Sequence, residues 1–398
     1  MRQAHAFILP MRDAFLLDPT VVFLNHGSYG ACPREVFVAY QQWQIELERN
    51  PVEFLGRRSA ALLAVARADL GSAIGAAADD LVFLPNATTG VNIVAQTMAQ
   101  SSALQPGDEV LAPNHEYGAC EAAWQAACAT RGASYRQVEI PLPFQAGAFA
   151  DRLLSQVTHS TRVLYLSHIS SSTALVFPVA EVCRRAREMG LLTVIDGAHA
   201  PGQLALDLNA LDADYYVGNA HKWMCAPKGA AFLHARREHH HSIVPGAVSW
   251  GTVAADGLDS PFDGYTGRAP LERRLQWQGT RDIAAFLAVS AAIDFQRRNQ
   301  WPQHQQRCHA MACDTRRRVA RRNGLAAIAR DEDTAQMVPI PVHCTDPHAL
   351  RRHLLDAYRI EVPITQHAGQ TFVRLSVQAY TTQAELDLLV QALEAAAV

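Results

Sequence analysis

The sequence predicts an α/β protein, with a large, mostly parallel sheet domain and a smaller α+β domain beside it. Three observations lead there. Short apolar runs bounded by turn residues alternate with stretches of helical periodicity. One unit is complete: the run Val163 to Ser167, a stripe of Val179, Val182, Ala186 and Met189, then the run Leu192 to Ile195, spaced as a βαβ crossover. A stretch rich in Gly, Asp and Pro over 246–268 lacks sustained periodicity and marks a change of domain. Residues 21–255 are therefore expected to form the large domain, and 1–20 with 256–398 the small one.

Taken in chain order, Val36, Tyr40, Trp43 and Leu47 recur at helical spacing after Pro33 and predict an amphipathic helix. Strands are expected at Leu81 to Leu84, Glu109 to Ala112, Val163 to Ser167, Leu192 to Ile195, Tyr215 to Val217 and Ala230 to Leu233. The second domain should carry a helix over Asp282 to Asn299, a basic helix over Cys308 to Arg322, and strands at Met337 to Val342 and Thr371 to Val377. A Thr382-Gln383-Ala384-Glu385 capping box opens a last helix with a Leu386, Leu389, Val390, Leu393 stripe.

Composition narrows the function. With 398 residues, 49% of them hydrophobic, the chain can bury a large core. A net charge of −3 supplies no global positive field for nucleic acid or an anionic membrane. No stretch approaches the roughly 18 uninterrupted apolar residues that span a bilayer, and Met1 to Arg12 lacks the apolar core of an export signal. A cytoplasmic protein is expected. The eight cysteines show no C-x-x-C spacing and are expected as buried thiols.

Several strand ends carry polar residues that chemistry can use. In open α/β sheets ligands collect outside the carboxyl ends of the strands, where Ser167/His168, Asp196 and Lys222 all fall. Asp196 is followed by Gly197-Ala198-His199-Ala200-Pro201-Gly202, small enough to admit a flat ring; read alone it is an ordinary turn residue. Lys222 read alone is a surface lysine, but Tyr215-Tyr216-Val217 before it and Trp223-Met224 after it argue for a buried stem. A buried amine beside cationic groups has a lowered pKa and becomes a nucleophile and base. Together the pair suggests a pyridoxal phosphate site, the amine to form a Schiff base and the carboxylate to keep the pyridine nitrogen protonated.

Asn86-Ala87-Thr88-Thr89-Gly90 stands between a strand and a helix, where it is either a phosphate cradle or an ordinary cap. Arg374 alternates with Val373 and Leu375 on a strand, so its guanidinium is oriented; a substrate carboxylate and a structural ion pair are equal readings. The run Arg316-Arg317-Arg318 with Arg321-Arg322 reads as a solvated helix face. His115-Glu116 begins an H-E-x-x-H pattern that Ala119 breaks, and His239-His240-His241 reads as a surface helix cap, so no metal is expected. G-x-G-x-x-G, P-loop and G-x-S-x-G motifs are absent.

Asn86-Ala87-Thr88-Thr89-Gly90-Val91-Asn92, Ser167-His168-Ile169-Ser170-Ser171, Asp196-Gly197-Ala198-His199, His221-Lys222, Gly279-Thr280-Arg281 and Arg374-Leu375-Ser376, in that order, resemble the class V aminotransferase family of fold-type I pyridoxal phosphate enzymes. Leu24-Asn25-His26-Gly27-Ser28-Tyr29-Gly30 and His115-Glu116-Tyr117-Gly118-Ala119 resemble its isopenicillin-N epimerase-like branch, to which ergothioneine-pathway C–S lyases are similar. The resemblance implies a seven-stranded-type sheet, pyridoxal 5'-phosphate on Lys222 with Asp196 at its ring nitrogen, and a homodimer with shared active sites. It also implies Ala87, Thr88, Asn219 and His221 at the phosphate, with Thr280 reaching it from the other subunit. His168 is counted among the cofactor-binding residues, and His199 is implied near the phenolic oxygen. Tyr117 is implied on the ring, a place His115 could take instead, and for epimerisation Tyr117 or a histidine would be the second acid. Arg374 would bind the carboxylate of an amino-acid substrate, and Asn25 and His26 would line the entrance.

Desulfurases of this family carry a nucleophilic cysteine shortly before the carboxylate-binding arginine, whereas here Arg359 to Arg374 contains none. Epimerisation, C–S lysis or transamination is therefore expected rather than persulfide formation. The competing readings are a cofactor-fold binding or regulatory protein without turnover, and a His-rich metalloprotein.

Overall fold

A computed structural model describes residues 11–253 and 258–396. Met1 to Pro10, which hold most of the stretch read for an export signal, and Ala254 to Gly257 of the expected domain change lie outside the described residues. The main sheet contains β1 (Leu81–Leu84), β2 (Glu109–Pro113), β3 (Ser134–Val138), β4 (Thr161–Ser167), β5 (Leu192–Gly197), β6 (Tyr215–Asn219) and β7 (Ala231–Ala235). Their order is β1-β7-β6-β5-β4-β2-β3, and only β7 runs against its neighbours. The sequence locates every one of these strands except β3. Ser134-Tyr135-Arg136-Gln137-Val138 pairs on one side only, at the sheet edge, and buries Val138 alone, so it has no apolar run to announce it.

Helices cover both faces, which is why the central strands are continuously apolar. On one face Val163, Tyr165, Val194 and Val217 meet α3 (Ala87–Gln100) and α4 (Gly118–Arg131). On the other, Leu164, Leu166, Ile195 and Tyr216 meet α1 (Arg34–Arg49), α2 (Ser59–Ile74) and α5 (Val179–Glu188). Arg67 of α2, 2% exposed, donates to Glu272 and, at 2.5 Å, to Gln276 of the segment following Ala269. Replacing Arg67 by alanine leaves Glu272 buried without its cation, and a loss of about 3–5 kcal/mol is expected from the denaturant midpoint; an unchanged midpoint would refute this.

The helix expected over Asp282 to Asn299 is interrupted at Ala288, giving Ala284–Leu287 and α6 (Val289–Arg298). Both pieces pack on α1 and α2 in the core of the large sheet, where Phe286 stacks on Phe83 with centroids 5.4 Å apart. The irregular stretch over 246–268 thus precedes the change of packing. It is α7 (Trp301–Asn323) that links the cores, with Trp301 in the first and Cys308, Ala312 and Val319 in the second. The second core is a three-stranded antiparallel sheet in the order β9-β10-β8, with β8 (Met337–Val342), β9 (Ile364–His367) and β10 (Gln370–Ser376), covered by α7, α8 (Pro347–Tyr358) and α9 (Gln383–Ala395). The Thr382/Glu385 capping box forms at the start of α9.

The basic run of α7 is not simply a solvated face. Arg316 is 2% exposed and pairs with Asp331 at 2.5 Å, while Arg318 pairs with Asp387 of α9 at 2.6 Å. Acids from the neighbouring turn and helix draw these side chains inward. Nor do His239-His240-His241 form a surface cap. They lie in the 3-10 turn Arg237–Ser242 with His240 buried. His239 Nε2 bonds Asp214 Oδ1 at 2.8 Å, and Arg236 pairs with both Asp214 and Glu238.

Candidate active site

A cleft of ≈ 310 Å³ opens at the carboxyl ends of β4, β5 and β6 and is closed on its far side by Arg374 of β10. Lys222 lies in the turn after β6 with its Nζ 3.2 Å from His199 Nε2. Burial lowers its pKa to about 8, helped by the charge of Arg374 and opposed by that of Asp196. The Lys222 carbonyl is held by His26 Nε2 at 3.0 Å. The amino-terminal segment comes so close that a Cβ on Gly30, whose φ is +72°, would fall 2.1 Å from the His221 carbonyl oxygen.

That clamp corrects the expectation for Asn25 and His26. His26 is fully buried, with Nδ1 3.0 Å from the Tyr380 hydroxyl and its ring against Trp223. Asn25 is also buried, accepting from the Ser28 hydroxyl at 2.6 Å. The short helix His26–Tyr29 turns its first residues inward, and Gly27, Ser28 and Tyr29 reach the cleft instead. His168 is corrected likewise. Side chains alternate along an extended chain, so Ser167 and Ile169 line the cleft while His168 Nδ1 meets the Tyr216 hydroxyl at 3.1 Å.

Asp196 is buried at the end of β5, its Oδ1 accepting from the Ala198 amide at 2.8 Å. Burial raises its pKa, against the Ala198 amide and the charge of Lys222. Its Oδ2 has two neighbours that the sequence reasoning missed, the Tyr165 hydroxyl at 3.3 Å and the Cys120 thiol at 3.6 Å. Two spacings carried the signal: Tyr165 is two residues before Ser167 on one strand face, and Cys120 is three after Tyr117 on one helix turn. His199, buried in the adjacent turn, takes the Trp223 indole N–H on Nδ1 at 3.4 Å, and its pKa is driven well down by burial and by Lys222.

Asn86 to Gly90 forms an ordinary helix cap, and the same helix end lines the cleft. Asn86 caps α3 by accepting from the Thr89 amide at 2.8 Å. Asn219 takes the Ala87 amide at 2.9 Å, and Thr88, whose hydroxyl forms no hydrogen bond among the described residues, faces the cleft. Gly90 allows this helix end to rest on the sheet, since a Cβ there would meet Val217 at 2.5 Å. His221 lines the same end and bonds the Ala230 carbonyl through Nδ1 at 2.9 Å, which leaves Nε2 for the cleft. Thr280 does not line the cleft of its own chain.

At the opposite end the two readings of Arg374 separate. Its guanidinium donates to the Ser171 carbonyl at 2.5 Å and the Ser28 hydroxyl at 3.1 Å, while Nε is buried without a partner among the described residues. No carboxylate among the described residues pairs with it. Burial lowers its pKa to about 10, and Tyr117 lies near enough to oppose this electrostatically. Tyr117, 47% exposed at the start of α4, lines the cleft. His115 is 1% exposed and turned away, bonded to Thr173 Oγ1 at 2.8 Å and stacked on His367 at 3.8 Å.

A flat aldehyde with a basic ring nitrogen and an anionic tail would fit the amine, the carboxylate and the helix end that line this cleft. Pyridoxal 5'-phosphate has that shape and chemistry, and the sheet with its second α+β unit is the scaffold of fold-type I enzymes that use it. The chain belongs to the class V aminotransferase family, whose model, Aminotransferase class-V, matches residues 23–389. It is 36% identical over 390 residues to isopenicillin N epimerase of Streptomyces clavuligerus, covering 96% of this chain and 97% of that one. It is also 36% identical over 398 residues to isopenicillin N epimerase of Amycolatopsis lactamdurans, with the same coverage. Among solved structures, a lysine-to-alanine variant of C-DES with glycine covalently linked to the PLP cofactor superposes with a TM-score of 0.82 at 23% identity, covering 96% of this chain and 99% of that one. That likeness shows the fold. The protein is an enzyme of this family, and its cofactor is pyridoxal 5'-phosphate.

Proposed function

We propose that this enzyme moves a proton at the α-carbon of an amino acid, with epimerisation as the favoured outcome and elimination of a β-thio substituent as the second. The observation that carries the reading is Arg374, a buried guanidinium without a counter-ion among the described residues, at one end of the cleft that holds Lys222. An amino acid's carboxylate would complete its fork. Bound pyridoxal phosphate supplies an electron sink that makes the α-proton removable. Lys222 would hold the cofactor, and its free amine would take that proton. Asp196 would keep the ring nitrogen protonated, and His199, beside Lys222, would hold the phenolic oxygen. Ala87, Thr88, Asn219 and His221 form the phosphate end, joined by Thr280 of the partner subunit in a homodimer.

Epimerisation also needs an acid to return the proton. Tyr117 is assigned that task because it lines the cleft within electrostatic reach of Arg374, and the relatives named as epimerases support the assignment. Persulfide chemistry is disfavoured. Cys344 lies in a separate surface cleft with Gln370 and Thr371, and Cys120 stands at the Asp196 end rather than beside Arg374. A cytoplasmic setting is supported by eight cysteines that are all free thiols. No helix among the described residues is long and apolar enough to cross a membrane.

A panel of L- and D-amino acids, including thioether sulfoxides, tests the proposal in D2O. Epimerisation should carry deuterium into the α-position with inverted stereochemistry, whereas elimination should release ammonia and pyruvate that carries solvent deuterium at its methyl carbon. Neither outcome with any member would sink it. The lowered Lys222 pKa gives a second expectation. A protonated amine cannot attack an aldehyde, so apoenzyme should capture the cofactor about tenfold more slowly for each pH unit below about 8 and level off above it. A stopped-flow pH series with that slope missing would contradict a lowered lysine pKa.

A further inference from the structure

The two oxygens of Asp196 are not equivalent. Oδ1 accepts one backbone amide, from Ala198, whereas Oδ2 meets the Tyr165 hydroxyl at 3.3 Å and the Cys120 thiol at 3.6 Å. Both side chains are buried, Tyr165 on β4 outside the cleft lining and Cys120 in the first turn of α4, where it lines the cleft. Neither belongs to the proposed cofactor or substrate contacts. We propose that Tyr165 and Cys120 are positioning residues that hold Asp196 in its carboxylate form and fix which way it presents its oxygens to the cofactor's ring nitrogen. The proposal rests on the assignment of Asp196 to that nitrogen.

The physical need for such donors comes from crowding. Tyr165 from β4, Tyr216 from β6, Cys120 from α4, Glu116 from the turn before α4 and Lys222 from the turn after β6 surround Asp196. Glu116 is a second buried carboxyl, held by the Ser167 amide at 2.9 Å and the Ser167 hydroxyl at 2.6 Å, and burial pushes its pKa up to about 8. Lys222 is the cation that acts most strongly on Asp196, and it must lose its charge to react. Hydrogen bonds to the charged form of a carboxylate favour that form. Two donors on Oδ2 therefore keep a proton on the ring nitrogen that burial would otherwise transfer to Asp196.

The test uses holoenzyme reconstituted with pyridoxal phosphate labelled with 15N in the ring, compared among wild type, Tyr165→Phe, Cys120→Ala and Cys120→Ser, with Asp196→Asn as reference. Tyr165→Phe and Cys120→Ala should each move the 15N resonance toward the unprotonated ring. The pH at which the ring loses its proton should fall by about one unit, the size of one modest hydrogen bond to a charged group. Cys120→Ser, which keeps a donor, should return toward wild type, and kcat should fall more than KM changes. Wild-type resonances and midpoints in both Tyr165→Phe and Cys120→Ala, beside a shifted Asp196→Asn, would overturn the proposal and spare the assignment of Asp196. An unshifted Asp196→Asn would overturn both. Should Tyr165→Phe fail to melt cooperatively, the alanine and serine variants of Cys120 decide the outcome alone.

Discussion

Alanine in place of Lys222 is expected to lower turnover by on the order of 10⁴-fold or more, the scale seen when a nucleophile that works as part of a unit is removed. No neighbour can replace it. Lys222 contributes the amine that faces His199 in the cleft, and the other lysine of the region, Lys228, does not line it. The loss should appear in the absorbance as well as the rate, because cofactor added to the variant should keep the spectrum of the free aldehyde. Lys222→Arg should fare no better, since a guanidinium stays protonated. Full turnover by Lys222→Ala with cofactor bound would overturn the assignment of this lysine as Schiff-base residue and base.

Arg374→Ala should raise the KM for an amino acid by about 10- to 100-fold, from charge-assisted hydrogen bonds worth roughly 1.5–3 kcal/mol. Cofactor affinity should change far less, because the residues proposed for the phosphate belong to α3 and the turn after β6 and not to β10. Arg374→Lys should recover only part of the loss, as a point charge cannot reproduce the fork. Amines lacking a carboxylate offer the discriminating control. Their KM should be indifferent to Arg374, and an unchanged KM for amino acids would remove Arg374 from substrate recognition.

Much of the site was legible because it lies at strand ends. Asp196 and Lys222 each follow an apolar run, and their convergence needs only parallel neighbours in one sheet, which β5 and β6 are. Asn86 to Gly90 and Arg374 are ambiguous from local sequence, because the partners that bear on each come from segments distant in the chain. Asn219 spends its oxygen on the Ala87 amide, while no acid among the described residues pairs with Arg374. His26 and His168 were misplaced for a related reason. A motif gives residue identity but not direction, and direction here is set by a short inward-turning helix and by strand alternation. Tyr165 and Cys120 were overlooked because apolar surroundings make both look like core.

By itself the amino-acid sequence determined the α/β class, the strands long and apolar enough to be buried on both faces, and the lysine and aspartate placed at the ends of neighbouring strands. Hydrophobic periodicity and turn residues act locally, so they can be read locally. The tertiary structure alone decided that residues 284–298 pack on the large sheet, that β3 completes its edge, and that Gly27 to Tyr29 rather than Asn25 and His26 reach the cleft. It also decided that Arg374 is left without a counter-ion among the described residues. These are contacts between segments far apart in sequence, and desolvation and pairing energies exist only once the chain has folded to bring the segments together.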